Sequence, residues 1–273
     1  MNPTDLRALF PVAANHVFLN HAAIAAPPRP VAGAMAAFVA ECSEHASLGY
    51  GRWLARLAKV RSLAAGLLGA EAGEIAFVPN TSGGLAAVAE GVRWRPGDEV
   101  LVAVPDFPAN VYPWMHLARR GIGVRRVERG PAGRLTVGEV ARALTPATRL
   151  LAVSSVDYAT GFAADLPALG ALCRTHGVLL CVDAIQGLGA LPLDVKACGV
   201  HFLAAGGHKW LLGPVGTGLL FVDAAVADEL EPPLVGWKSV VDEENFDLHF
   251  ELRRDAARFE PGTLNLGGIF GLG

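Results

Sequence analysis

Three short stretches of the 273-residue chain carry side chains suited to chemistry. In Ala204-Ala205-Gly206-Gly207-His208-Lys209-Trp210 a lysine amine sits among glycines and just ahead of Leu211 and Leu212. Such surroundings strip water from an ammonium, lower its pKa and leave a nucleophile toward an aldehyde. Asp183, 26 residues earlier, closes the apolar run Val178-Leu179-Leu180-Cys181-Val182. A carboxylate emerging from a core needs a cation or a hydrogen-bond donor. A protonated ring nitrogen would serve, and the carboxylate would in turn hold it protonated. The third stretch, Asn80-Thr81-Ser82-Gly83-Gly84, puts hydroxyls and unhindered N–H groups at a helix start, where the dipole and orphan donors favour an anion such as phosphate.

Taken singly, each stretch has an ordinary structural reading. Thr81 or Ser82 can be an N-cap, Asp183 can cap the next turn, and Lys209 can be a solvated loop lysine. Together they describe a site for an aldehyde that bears both a phosphate and a basic ring nitrogen.

Rigid elements must bring these stretches together. Trp53, Leu57, Val60, Ala64 and Leu67 recur at helical spacing within 52–68, and Gly69 follows as a stop. The run 75–78 reads as a strand that leads through Asn80-Thr81-Ser82 into an Ala-rich helix over 85–92. Further strands are expected at 99–104, 123–127, 149–154, 178–183, 200–204 and 217–222, with helices at 136–144 and 165–176 between some of them. This alternation predicts an α/β fold. Its mainly parallel sheet has helices on both faces and carries function in loops at the strands' carboxyl ends.

Composition narrows the partners. The 23 basic and 26 acidic residues give a formal charge of −3, which offers no electrostatic reason to bind nucleic acid or an anionic membrane. A small-molecule substrate is expected. Cys42, Cys173, Cys181 and Cys198 show neither a CxxC pair nor metal-type spacing with histidine, as suits reduced thiols in a cytosol. No leader or membrane-length apolar run is visible, so a cytoplasmic protein is expected. The glycine-rich 213–218 has no helix opening on its last glycine, which leaves a nucleotide loop poorly supported. The pairs His16/His21 and His201/His208 lack the companions a metal site needs.

The chain resembles the class V aminotransferases, a family dependent on pyridoxal 5′-phosphate (PLP). That family includes cysteine desulfurases, selenocysteine lyases, kynureninase-like enzymes and isopenicillin N epimerase-like proteins. Ordered motifs carry the resemblance: Phe18-Leu19-Asn20-His21-Ala22-Ala23, Asn80-Thr81-Ser82, Pro96-Gly97-Asp98-Glu99, Asp106-Phe107-Pro108-Ala109-Asn110, Asp183-Ala184-Ile185-Gln186, Gly207-His208-Lys209 and Phe259-Glu260-Pro261-Gly262-Thr263.

The resemblance implies the large domain of the PLP-dependent transferase fold type I. Lys209 looks like the internal-aldimine lysine that later moves protons at the substrate carbon. Asp183 matches the partner of the pyridine nitrogen, Gln186 the contact near the ring hydroxyl, and Thr81, Ser82 and His208 the phosphate ligands. Phe107 falls where the family stacks a ring over the pyridine. Thr263 matches the threonine that reaches the neighbouring subunit's phosphate, which implies a homodimer. An amino-acid substrate follows, with transamination, epimerisation or elimination as outcomes; a non-catalytic PLP-fold binding protein is the alternative.

Three departures from the family pattern stand out. Gly206 replaces a frequent serine, which suggests looser phosphate binding. Phe107 replaces the histidine of desulfurases and offers no titratable group, which points toward the epimerase-like or transaminase-like branches. Finally, the chain ends at Gly273, where the family begins the helix into its small C-terminal domain. The expected layout is an N-terminal arm over 1–30, a PLP-binding large domain over 31–230 and, over 231–273, the large domain's end with the start of a C-terminal region that is largely absent. Exposed apolar surface is expected to accompany that absence.

Overall fold

The computed structural model describes residues 2–273. Seven strands, β1 (Ile75–Val78), β2 (Glu99–Val104), β3 (Gly123–Glu128), β4 (Thr148–Ser154), β5 (Leu179–Asp183), β6 (Phe202–Gly206) and β7 (Gly218–Val222), form one sheet in the order β1-β7-β6-β5-β4-β2-β3. β7 runs antiparallel to β1 and β6, and the remaining pairs are parallel. The helices are α1 (Pro3–Ala8), α2 (Arg29–His45), α3 (Tyr50–Leu68), α4 (Thr81–Gly91), α5 (Tyr112–His116), α6 (Val137–Ala143), α7 (Leu166–His176) and α8 (Leu266–Leu272).

The central strands are near-continuous apolar runs because helices cover both faces of the sheet. Alternate residues serve alternate cores. Leu151, Val153, Leu180, Val182 and Leu203 pack with residues of α3, α7 and α8, whereas Leu150, Ala152, Leu179, Cys181 and Phe202 pack with Leu85, Val88 and Trp114 of α4 and α5. α3 stops at Gly69, whose φ of 67° is the left-handed turn that glycine adopts without strain.

Each sheet edge is blunted in its own way. β3 exposes Arg125, Arg126 and Glu128, charges that discourage further strand pairing. Along β1, Phe77 N–H donates to Glu260 Oε1 (2.7 Å) and Arg61 Nη1 donates to the Ile75 carbonyl (2.6 Å). Arg61 and Glu260 also pair bidentately (2.7 and 2.9 Å). A largely buried ion pair thus takes the place of an eighth strand.

The parallel α/β expectation holds, with differences in individual elements. The strand expected at 200–204 lies two residues later, because Val200 and His201 belong to the segment that leads from β5 into β6 and Gly206 completes the pairing with Gly218. α2 was not expected. It is held by Val31, Met35 and Phe38 against α8. α8 is itself largely buried, whereas Leu234, Val235, Trp237, Phe246, Leu248 and Phe250 in the preceding segment are exposed. No helix among the described residues is long and apolar enough to cross a membrane.

Candidate active site

The carboxyl ends of parallel strands place their following loops on one rim of the sheet. Register makes the rim compact: Ser154 of β4 is aligned with Asp183 of β5, which is aligned with Ala204 of β6. The Lys209 loop therefore opens beside Asp183, and α4, entered from β1, packs across β6. Gly84 makes that approach possible, since a Cβ there would lie 2.7 Å from the Ala204 methyl.

Asp183 is 2% exposed. Among the described residues its carboxylate accepts a single hydrogen bond, from Ile185 N–H (3.0 Å). Burial drives its pKa up to about 7; the Ile185 bond and the Lys209 charge pull it down, and the Asp106 charge pushes it further up. Lys209 is buried, and burial lowers its amine pKa against the opposing pull of Asp183. Its Nζ stands 5.6 Å from the centroid of the Phe107 ring. An amine, a carboxylate short of donors and a flat ring thus share one rim.

The helix start and His208 are tied to the same place. Asn80 caps α4 by accepting from Gly83 N–H (2.8 Å), while Thr81 Oγ1 accepts from Gly206 N–H (2.9 Å) and joins α4 to the end of β6. The Gly206 departure has a local reason. A Cβ there would lie 2.9 Å from Nδ1 and Cε1 of His208, so the imidazole occupies the space a serine would claim. Burial, then the Lys209 charge, lowers the His208 pKa and favours the neutral ring.

Gln186 is buried, and both ends of its amide are engaged. Trp210 Nε1–H donates to Oε1 (2.8 Å), and Nε2 donates to the Ala22 carbonyl (3.0 Å). Ser82 and Thr263 stand apart. Ser82 is exposed and lines a shallow cleft with Phe107 and Tyr112. Thr263 is exposed and lines a different cleft, with Pro79, Gly83 and Thr217.

The support beneath Phe107 was not expected from sequence. Asp106, preceding it, accepts from Ser154 Oγ (2.8 Å) and Asn110 Nδ2 (3.2 Å) and pairs with Arg129 Nη2 (3.1 Å). Arg129 also donates to the Pro105 carbonyl (3.0 Å) and lies 3.7 Å from Asp157. Burial opposes ionisation of Asp157, but bonds from the Thr160 hydroxyl and N–H, with the Arg129 charge, hold its pKa below the ordinary value. Tyr158 follows at once, and its ring meets Phe107 edge-on at 5.4 Å. In the sequence Arg129 and Asp157 are only charges just past strand ends, a position that solvated residues share. Replacing Arg129 with methionine should cost about 3 kcal/mol by leaving buried carboxylates without their cation. Urea unfolding would measure it, and an unchanged midpoint would show that the pair does not brace this loop.

Known proteins show the same arrangement of chain. The sequence matches the family Aminotransferase class-V over residues 17–273. A probable cysteine desulfurase of Methanothermobacter thermautotrophicus is 36% identical over 277 residues, covering 100% of this chain and 69% of that protein. The apo structure of a cysteine desulfurase from Thermococcus onnurineus superposes with a TM-score of 0.90 at 29% identity, over 100% of this chain and 69% of that one. A C-DES mutant with glycine covalently linked to its PLP cofactor gives 0.92 at 27% identity, over 97% and 71%.

Proposed function

We propose, from the premise that the chain belongs to the class-V aminotransferase family, that it binds PLP and performs chemistry at the α-carbon of an amino acid. The observation that carries this reading is the buried Asp183 carboxylate, with one backbone donor, on the same rim as the buried Lys209 amine. A ring N–H⁺ is the partner such a carboxylate lacks. The donor set fits the cofactor.

Lys209 would hold the cofactor's aldehyde carbon through Nζ and, when freed by a substrate amine, would move a proton at the α-carbon. Asp183 keeps the ring nitrogen protonated. Thr81 and His208 would hold the phosphate, with Ser82 reaching it from the exposed start of α4; Gln186 would meet the ring hydroxyl, and Phe107 would cover one ring face and exclude water there. Thr263, exposed in a cleft with Pro79, Gly83 and Thr217, would serve the neighbour's phosphate in a homodimer. When bound, PLP supplies the electron sink for the bond broken at the α-carbon.

The relatives' names favour an amino acid that carries sulfur. Phe107 departs from an acid–base residue at the stacking position, so proton transfer rests on Lys209. The test is a visible spectrum of the protein with PLP, followed by a panel of amino acids. A spectral change with release of sulfide identifies C–S elimination, while a keto acid or an inverted amino acid identifies transamination or epimerisation. A cofactor spectrum that no amino acid perturbs assigns the chain to binding without turnover.

A further inference from the structure

Two part-buried hydrogen bonds fix which end of the Gln186 amide faces which neighbour. Indole Nε1–H is a donor and nothing else, so the atom 2.8 Å from it must be the acceptor Oε1. The Ala22 carbonyl is an acceptor and nothing else, so the atom 3.0 Å from it must be Nε2. Turning the amide over would set donor against donor at Trp210 and acceptor against acceptor at Ala22. Both contacts would be lost, and the part-buried indole N–H would be left facing another donor. The amide nitrogen carries two hydrogens, and Ala22 takes one. The other N–H remains as the donor that Gln186 can offer.

The indole is held in turn. The His21 ring stacks on it with centroids 5.7 Å apart and planes at 21°. Ala25 N–H donates to the His208 carbonyl (2.8 Å), which straps the chain around residue 21 to the Lys209 loop. Trp210 thus adjoins Lys209 in sequence while bonding to a side chain 24 residues away.

We propose that Trp210 is a positioning residue that acts through Gln186, locking the amide so that it presents N–H, and not C=O, to the ring oxygen of the cofactor. The inference rests on the reading of Gln186 as the ring-hydroxyl contact. A donor at that oxygen favours its anionic form and lowers the pH at which the bound cofactor's visible absorbance titrates. Without the Trp210 bond the amide is free to turn, and this preference weakens.

The experiment is a pH titration of visible absorbance in PLP-loaded wild type, Trp210→Phe, Gln186→Met and the double variant. Borohydride reduction and peptide mapping on each sample report whether PLP is attached at Lys209. The Trp210→Phe titration should move up by about one pH unit, the scale of one misplaced charge-assisted hydrogen bond. Gln186→Met should move at least as far, and the double variant no further than Gln186→Met, since Trp210 acts through that amide. Substituting the benzothiophene analogue of tryptophan keeps the bicyclic shape, lacks the N–H, and reads the same bond if the phenylalanine variant is not recovered folded. Adducts at Lys209 in every sample with an unmoved Trp210→Phe titration, or with shifts that add in the double variant, overturn the inference alone. No adduct in wild type overturns the functional reading and the inference with it.

Discussion

Lys209→Ala is expected to abolish covalent PLP capture while leaving the fold intact. The wild type should develop visible absorbance with PLP and, after borohydride, retain the cofactor's mass on the peptide containing Lys209. The alanine variant should do neither. The fold should tolerate the change because Lys209 makes no ion pair among the described residues, and burial already disfavours its charged form. A stability change within about 1 kcal/mol is expected, so loss of capture cannot be assigned to unfolding. Turnover, where the wild type has it, should fall on the order of 10²–10⁴-fold, the usual contribution of a positioned proton-transfer group. Capture by the wild type should slow as pH falls, because only the neutral amine attacks. Burial extends that reactive range below the pH at which an ordinary lysine would lose its proton. A borohydride adduct on any other lysine would remove Lys209 from this role.

Lys209, Asp183 and Thr81 were legible in the sequence because each follows an apolar run at the end of a strand, where a parallel sheet gathers its chemistry. Their convergence depends on strand order, which local pattern does not contain. Nothing in the run 218–222 announces that β7 is reversed and separates β1 from β6. α2 was missed although Val31, Met35, Phe38 and Cys42 recur at helical spacing; Pro27, Pro28 and Pro30 at its start are residues that usually interrupt a helix. Arg129 and Asp157 were illegible for a different reason. A charge just past a strand reads as solvated until the fold brings a second strand's carboxylate to it, as β2's exit does with Asp106. The Gly206 departure predicted weaker anion binding from its missing hydroxyl, yet the space it leaves is filled by the His208 ring. The bond between Trp210 and Gln186 joins residues that sequence reasoning treated separately, one as apolar surroundings and the other as a ring contact.

Asp183→Asn should shift the protein without cofactor and the protein with cofactor in opposite directions. The folded-state pKa of Asp183 is about 7, above its ordinary 3.8. The native state therefore binds this proton more tightly than the unfolded chain does. The resulting stability is present below about pH 4 and is lost as pH rises through about 7, to a total of at most about 4 kcal/mol. Asparagine has no such proton. In the cofactor-free protein the variant should lack this slope and gain on the wild type as pH rises from about 5 to about 8. With PLP present the order reverses, because the ring N–H⁺ gives the wild-type carboxylate its missing counter-charge and asparagine cannot hold that nitrogen protonated. Cofactor affinity should fall roughly a thousandfold, about 4 kcal/mol for losing one member of a buried charge pair. Urea unfolding across that pH range, with and without PLP, separates the two effects. A cofactor-free variant that keeps the wild-type pH slope would show that another group binds the proton. A variant that keeps wild-type PLP affinity would show that the carboxylate on this rim does not face the ring nitrogen.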